Sequence, residues 1–203
     1  RHRLPIALAV IPAGAGPDLA AALAGRPAVA VLQHGLAHVN HEPAGTKPAE
    51  LGGARPAAAV LADLADGERR LRALFGERAL PVLVPPWNRA SPAVLAAALE
   101  GGYRSVSLFG GHGDEPARVD AHLDPVAWRD GRGFLGVERT LAPLHAAVAT
   151  AVRTDRDLGP VGLLTHHLVH DEATWAFLEG FLAAAAGHPA ASWPPPRDLF
   201  ALP

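Results

Sequence analysis

The residues in this chain best suited to chemistry are histidines that come in groups. The stretch VLQHGLAHVNH, residues 31–41, sets His34, His38 and His41 directly behind an apolar run. Imidazoles at i and i+4 share one side of a helical turn or a tight loop, close enough to ligate one metal ion; the other reading of such a pair is two surface rings bonded to loop backbone. His41 is read as exposed. A second group, LLTHHLVHD at residues 163–171, brings His166 to the end of another apolar run, with His167 and His170 as supporting residues. Imidazole titrates near neutrality, so His166 suits a general acid, or else it is a structural ring bonded to a neighbouring carbonyl. Between the two groups lies VPPWNR, residues 84–89. Its Pro85-Pro86 pair stiffens the backbone and presents Trp87, whose indole is either core packing or a flat platform for a sugar ring. Asn88 and Arg89 add donors for an acidic group or a developing oxyanion.

The chain has no cysteine, which excludes disulfides, a thiolate nucleophile and any thiolate metal site. A metal would have to be held by His, Asp or Glu, a donor set that suits zinc or another transition ion better than calcium.

These groups need elements to carry them, and the hydrophobic pattern supplies an alternation. Short apolar runs at residues 6–12, 29–33, 80–84, 103–109 and 161–167 read as buried strands, with a shorter extended piece reaching residues 122–125. Helical periodicity covers residues 17–25, 55–76, 91–102, 141–152 and 171–187. In the second of these Leu61, Leu64, Leu71, Leu74 and Phe75 recur along one face and Gly76 closes it. Ser91 is the expected N-cap of the third, with Pro92 at its first position, and Asp171 the N-cap of the last, where Trp175, Leu178 and Leu182 share a face. Strands followed by helices predict an α/β fold with a parallel sheet under helices, in one domain spanning residues 1–203. Such folds gather functional groups at the carboxyl ends of strands. His34 and His38, then Trp87, Asn88 and Arg89, then Asp124, then His166 and His167 all fall there. The Gly-rich GGHGDEP loop with His112 is expected to be a mobile lip.

Composition narrows the class further. With 203 residues, 49% hydrophobic and 19% charged, the chain is long enough for one domain with a real core. A formal net charge of -2 gives no basic footprint for nucleic acid. No apolar stretch reaches the roughly 18 uncharged residues of a membrane span. The chain contains no methionine and opens on Arg1, so the expectation is that residues precede it, and with them any targeting signal. Neither compartment nor oligomeric state can be read from it.

With these residues identified, the sequence resembles the polysaccharide deacetylase family, the NodB-homology carbohydrate esterases, over nearly its whole length. HGLAH looks like that family's H-x-x-x-H metal motif, VPPWN like its R-P-P-Y/W groove motif, DPVAW like its D-x-x-D-W motif and LTH like its L-x-H motif, in that order. The resemblance implies a distorted (β/α) barrel and metal-assisted hydrolysis of an acetyl group from an N-acetylated sugar or polysaccharide. It makes His34 and His38 ligands of a divalent metal, most simply zinc, and His166 the acid that protonates the departing amine. Pro86, Trp87, Asn88, Asp124 and Trp128 would then meet the substrate. The family's first motif, an Asp pair that supplies the base and third ligand, has no counterpart: no Asp precedes Asp18. The barrel is therefore expected to lack its first strand, N-terminally truncated. Val84 stands at the groove Arg, with Arg89 as a displaced substitute, and Ala127 stands at the second Asp of D-x-x-D-W. Those departures keep open a non-catalytic carbohydrate-binding relative as the alternative.

Overall fold

A computed structural model describes residues 2–110 and 117–202. The expected lip falls largely on residues 111–116, so that expectation, with His112, lies outside the described residues. Two compact units emerge: a larger one of residues 5–108, 117–119 and 194–202, and a smaller one of residues 2–4, 109–110 and 120–193.

The larger unit is built on a parallel sheet of β1 (Ile6–Val10), β2 (Val29–Gln33), β3 (Ala79–Leu83) and β4 (Ser105–Val106), in that spatial order. Helices α1 (Pro17–Ala24), α2 (Ala57–Phe75) and α3 (Pro92–Glu100) make the connections. Side chains alternate across a strand, so adjacent residues of β2 enter different cores. Val31 packs with Val10, Leu23 and Leu71, whereas Leu32 packs with Leu80, Val82 and Phe200 beside the short helix α6 (Pro196–Leu199). A third cluster joins Leu83 and Val106 to Val60 and Leu64 of α2 and Val94 and Ala98 of α3. Burial on both faces explains why β2 and β3 read as continuous apolar runs; β1, expected to be buried as well, is largely exposed, with Ile6 at 53% and only Val10 in the core.

The long helix lies close to the sheet because of a glycine that periodicity passes over. A Cβ on Gly67 would stand 2.3 Å from Gln33 Nε2 and 2.9 Å from Pro12 Cγ. The space it leaves admits the Gln33 amide, which donates to the carbonyls of Leu64 (2.9 Å) and Gly35 (3.1 Å) while its oxygen accepts from the Tyr103 hydroxyl (2.7 Å). Burial, with Glu68 nearby, pushes the Tyr103 hydroxyl far above its ordinary pKa, so it stays a donor.

The smaller unit holds a two-stranded parallel pair, β5 (Ala121–Leu123) with β6 (Gly162–Leu163), and helices α4 (Val137–Thr154) and α5 (Glu172–Ala186). Here the structure corrects several sequence expectations. The run at 161–167 contributes only the two strand residues of β6, and that at 103–109 yields β4 and, separately, an isolated bridge from Phe109 to Ala121. Helix α4 begins at Val137 and not 141: Thr140, fully buried, donates its hydroxyl to the Gly136 carbonyl (2.8 Å) and anchors an extra first turn, leaving Pro143 inside the helix. On α5 the buried positions are Thr174 and Leu178, while Trp175 is half-exposed, so the face is rotated from the expected one. Asp171 is the N-cap as expected, accepting from the Thr174 N–H (2.7 Å). Among the described residues no helix is long and apolar enough to cross a membrane.

The Gly67 contact makes a direct prediction. In Gly67→Ala the new methyl meets a buried amide already committed to two carbonyls, an overpacking cost of about 1–3 kcal/mol. Urea unfolding should show that loss, and a variant as stable as wild type would mean the helix has room to move.

Candidate functional site

The larger unit's part of the site starts where the sheet pairing runs one residue past the strands. The His34 N–H donates to the Val10 carbonyl (2.9 Å) and the Val84 N–H to the Gln33 carbonyl (2.8 Å). His34 and Val84 therefore leave the sheet side by side, and the His34 Nδ1 bonds the Val84 carbonyl at 2.8 Å. A carbonyl only accepts, so Nδ1 is the donor in this bond, and in a neutral ring Nε2 would be the nitrogen with a lone pair.

Residues 34–38 form a tight loop, not a helical turn. Gly35 has φ +62°, and a Cβ there would stand 2.0 Å from Glu50 Oε2 and 2.7 Å from Pro86 Cγ. Glu50, only 3% exposed, accepts three successive backbone N–H groups: Leu36 (3.0 Å) and Ala37 (2.8 Å) at Oε1, His38 (3.0 Å) at Oε2. The Leu36 carbonyl in turn accepts from the Ala13 N–H at 2.8 Å. The i, i+4 spacing works through this loop: the His34 and His38 rings stand with centroids 5.1 Å apart, tilted by 49°.

Trp87 comes from the turn after β3 and lays its ring 4.0 Å from that of His38. His38, Trp87 and Asn88 have φ values of 55°, 53° and 59°, in the left-handed region. Each such non-glycine residue costs on the order of 1 kcal/mol, and strain of this kind gathers at functional sites. Pro86 is buried behind the turn. Arg89 directs a guanidinium N–H to the Pro48 carbonyl (3.0 Å) and, with Asn88 and Lys47, lines an open depression of about 400 Å³. His41 is exposed, as expected.

The smaller unit gathers the other expected residues. Asp124 directly follows β5 and accepts from the Val126 N–H (2.9 Å) at Oδ1 and from the Trp128 indole N–H (2.7 Å) at Oδ2. The same Oδ2 lies 3.5 Å from His166 Nε2. The Trp128 and His166 rings meet edge to face, centroids 4.7 Å apart, and the indole is 45% exposed, a platform open to solvent. Burial alone would push the Asp124 carboxyl up, but His166, the indole N–H and the Val126 N–H outweigh it and hold it below its ordinary value. Asp124 thus stays ionised opposite His166.

His166 lies three residues beyond β6, in a turn. Its backbone N–H donates to His170 Nε2 at 2.9 Å, so His170 supports the acid candidate by accepting. The His170 ring also meets Trp175 edge to face at 4.8 Å. Burial first, then the neighbouring His166 ring, hold the His170 pKa below its ordinary 6.5.

Sequence reasoning missed Glu50. Its spacing from the histidines matches no motif, and the only local signal is an acidic side chain set directly before the buried Leu51.

The fold is similar to that of a crystal structure from Mycobacterium smegmatis provisionally assigned as a polysaccharide deacetylase, with a TM-score of 0.64 and 16% identity over 98% of this chain and 72% of that one. No family model and no curated protein matches the sequence. At that identity the likeness is one of fold: mixed α/β, with parallel sheets.

His170 makes the smaller unit acid-sensitive in a defined direction. Between its lowered native pKa and about 6.5 the folded chain binds fewer protons than the unfolded one, so stability rises with pH through that window. His170's contribution is complete above about 6.5 and is lost as pH falls. Asp124 adds a loss at lower pH, below the ordinary aspartate value. The urea midpoint should therefore fall between about pH 7 and pH 5, and fall less in His170→Gln, which keeps an acceptor but does not titrate. Identical pH slopes for the two proteins would refute this role.

Proposed function

We propose that this chain carries a metal-dependent hydrolase that removes acetyl groups from N-acetylated sugars or polysaccharide. The observation that carries the reading is the paired geometry of His34 and His38, with the His34 tautomer selected by the Val84 carbonyl and the His38 ring backed by Trp87. The likeness of fold to the mycobacterial structure supports the class.

The donor chemistry fits zinc in part. Two imidazoles supply two of the three protein ligands of a catalytic zinc site. The described residues contain no group of three His, Cys, Asp or Glu side chains arranged to hold an ion, so the third ligand in this reading comes from outside them. When bound, such an ion acidifies a water and polarises the acetyl carbonyl. The remaining work belongs to side chains. His166 donates the proton without which an amine is a poor leaving group, and Asp124 holds the ring in orientation. Trp87 and Trp128, with Asn88, offer faces and donors to the sugar, while Pro86, expected to meet it, is fully buried and only stiffens the turn behind Trp87. Arg89 is assigned to the developing oxyanion, the duty of the groove arginine replaced by Val84.

A second reading, a carbohydrate-binding relative without the chemistry, is favoured by two observations. Ala127 is 8% exposed, a small apolar residue where the family motif has an acid. Val84 offers only its carbonyl, already used by His34.

Metal analysis and an acetate assay on the full-length protein separate the two. The enzyme reading expects about one zinc per chain, lost in His34→Ala. It expects His166→Ala to keep the metal and release acetate about 10²–10⁴-fold more slowly. Well-folded protein without zinc ends the enzyme reading. Sugar binding that survives His166→Ala, with no acetate released by wild type, establishes the second.

A further inference from the structure

We infer that Glu50 is the positioning residue of the histidine loop, and that its carboxylate sets the affinity of His34 and His38 for a divalent cation; the inference rests on the metal reading above. A buried carboxylate must be compensated. At Glu50 the compensation consists of three successive backbone N–H groups, those of Leu36, Ala37 and His38. Such a run of N–H groups forms an anion-binding concavity. Here the chain's own side chain fills it.

The consequence for the rings is geometric. His38 sits at φ 55°, a conformation its side chain does not favour, and its N–H is the one held by Glu50 Oε2. Gly35, between the rings' two anchors, fits only because it lacks the Cβ that would collide with Glu50 Oε2 and Pro86 Cγ. The loop is thus shaped on the inside by the carboxylate and on the outside by the Val84 carbonyl and Trp87. Two nitrogens can share an ion only if both rings hold their orientation. Partners that orient metal ligands typically govern about 10–100-fold in affinity.

Glu50→Gln tests this with little change in volume. The amide retains one acceptor oxygen for Leu36 and Ala37 but turns an NH2 toward the His38 N–H, donor against donor. Zinc titration of the full-length protein should show a 10–100-fold weaker affinity in Glu50→Gln. Val94→Ala, a cavity variant in the core of the same unit, should lose stability without losing affinity. Gly35→Ala, which displaces the carboxylate but keeps its charge, should behave like Glu50→Gln. In the wild-type protein, with no variant needed, the amides of Leu36, Ala37 and His38 should exchange slowly with solvent. Equal zinc affinity in Glu50→Gln and wild type overturns the role of Glu50 and leaves the metal reading standing. So does fast exchange of those amides, and so does an equal loss of affinity in Val94→Ala. A wild-type protein that binds no zinc overturns both.

Discussion

Three consecutive backbone N–H groups behind β2 converge on one buried carboxylate, and the candidate site of the larger unit depends on that convergence. A loop that leaves a parallel sheet and turns back on itself has no ladder to satisfy its amides. Residues 36–38 solve the problem with Glu50, delivered from 12 to 14 residues further along the chain. The intervening segment is tied by Asn40, whose side-chain oxygen accepts from the N–H groups of Glu42 and Ala49 (both 3.0 Å). Glu50 therefore arrives at the end of a closed loop, and the histidines are held by a contact local in space and distant in sequence.

Around that contact the backbone is strained on purpose. His38, Trp87 and Asn88 occupy left-handed conformations and belong to two different connections that meet ring to ring. Such conformations persist only where the surroundings over-determine them. Pro85 and Pro86 stiffen one connection, and Glu50 and the Ala13 N–H fasten the other. The result is a pair of imidazoles whose backbone is held from both connections.

The smaller unit orients its histidine by different means. Asp124 is a charge held by an indole N–H, a backbone N–H and the His166 ring, and the balance of those against burial keeps it ionised. Glu50 shapes backbone, whereas Asp124 faces an imidazole directly. A carboxylate that accepts from peptide groups sets conformation; one that faces a titrating ring sets orientation and electrostatics.

Much of this was legible in the chain alone. Alternating apolar runs and helical periods announced parallel strands under helices, because burial on both faces of a sheet leaves a continuous apolar signature. Ser91 and Asp171 marked two helix starts, because capping is decided within four residues. The strand-end positions of His34, Trp87 and Asp124 followed from the same pattern. Other features were decided only by the tertiary structure. The short extents of β4 and β6 depend on the strands they pair with, the start of α4 on the burial of Thr140, and the buried face of α5 on its packing. The partnership of Glu50 with the histidine loop is beyond local reading for a further reason. A carboxylate in a ring of peptide N–H groups needs no particular side chain at the other end, so nothing in the sequence of residues 36–38 announces it.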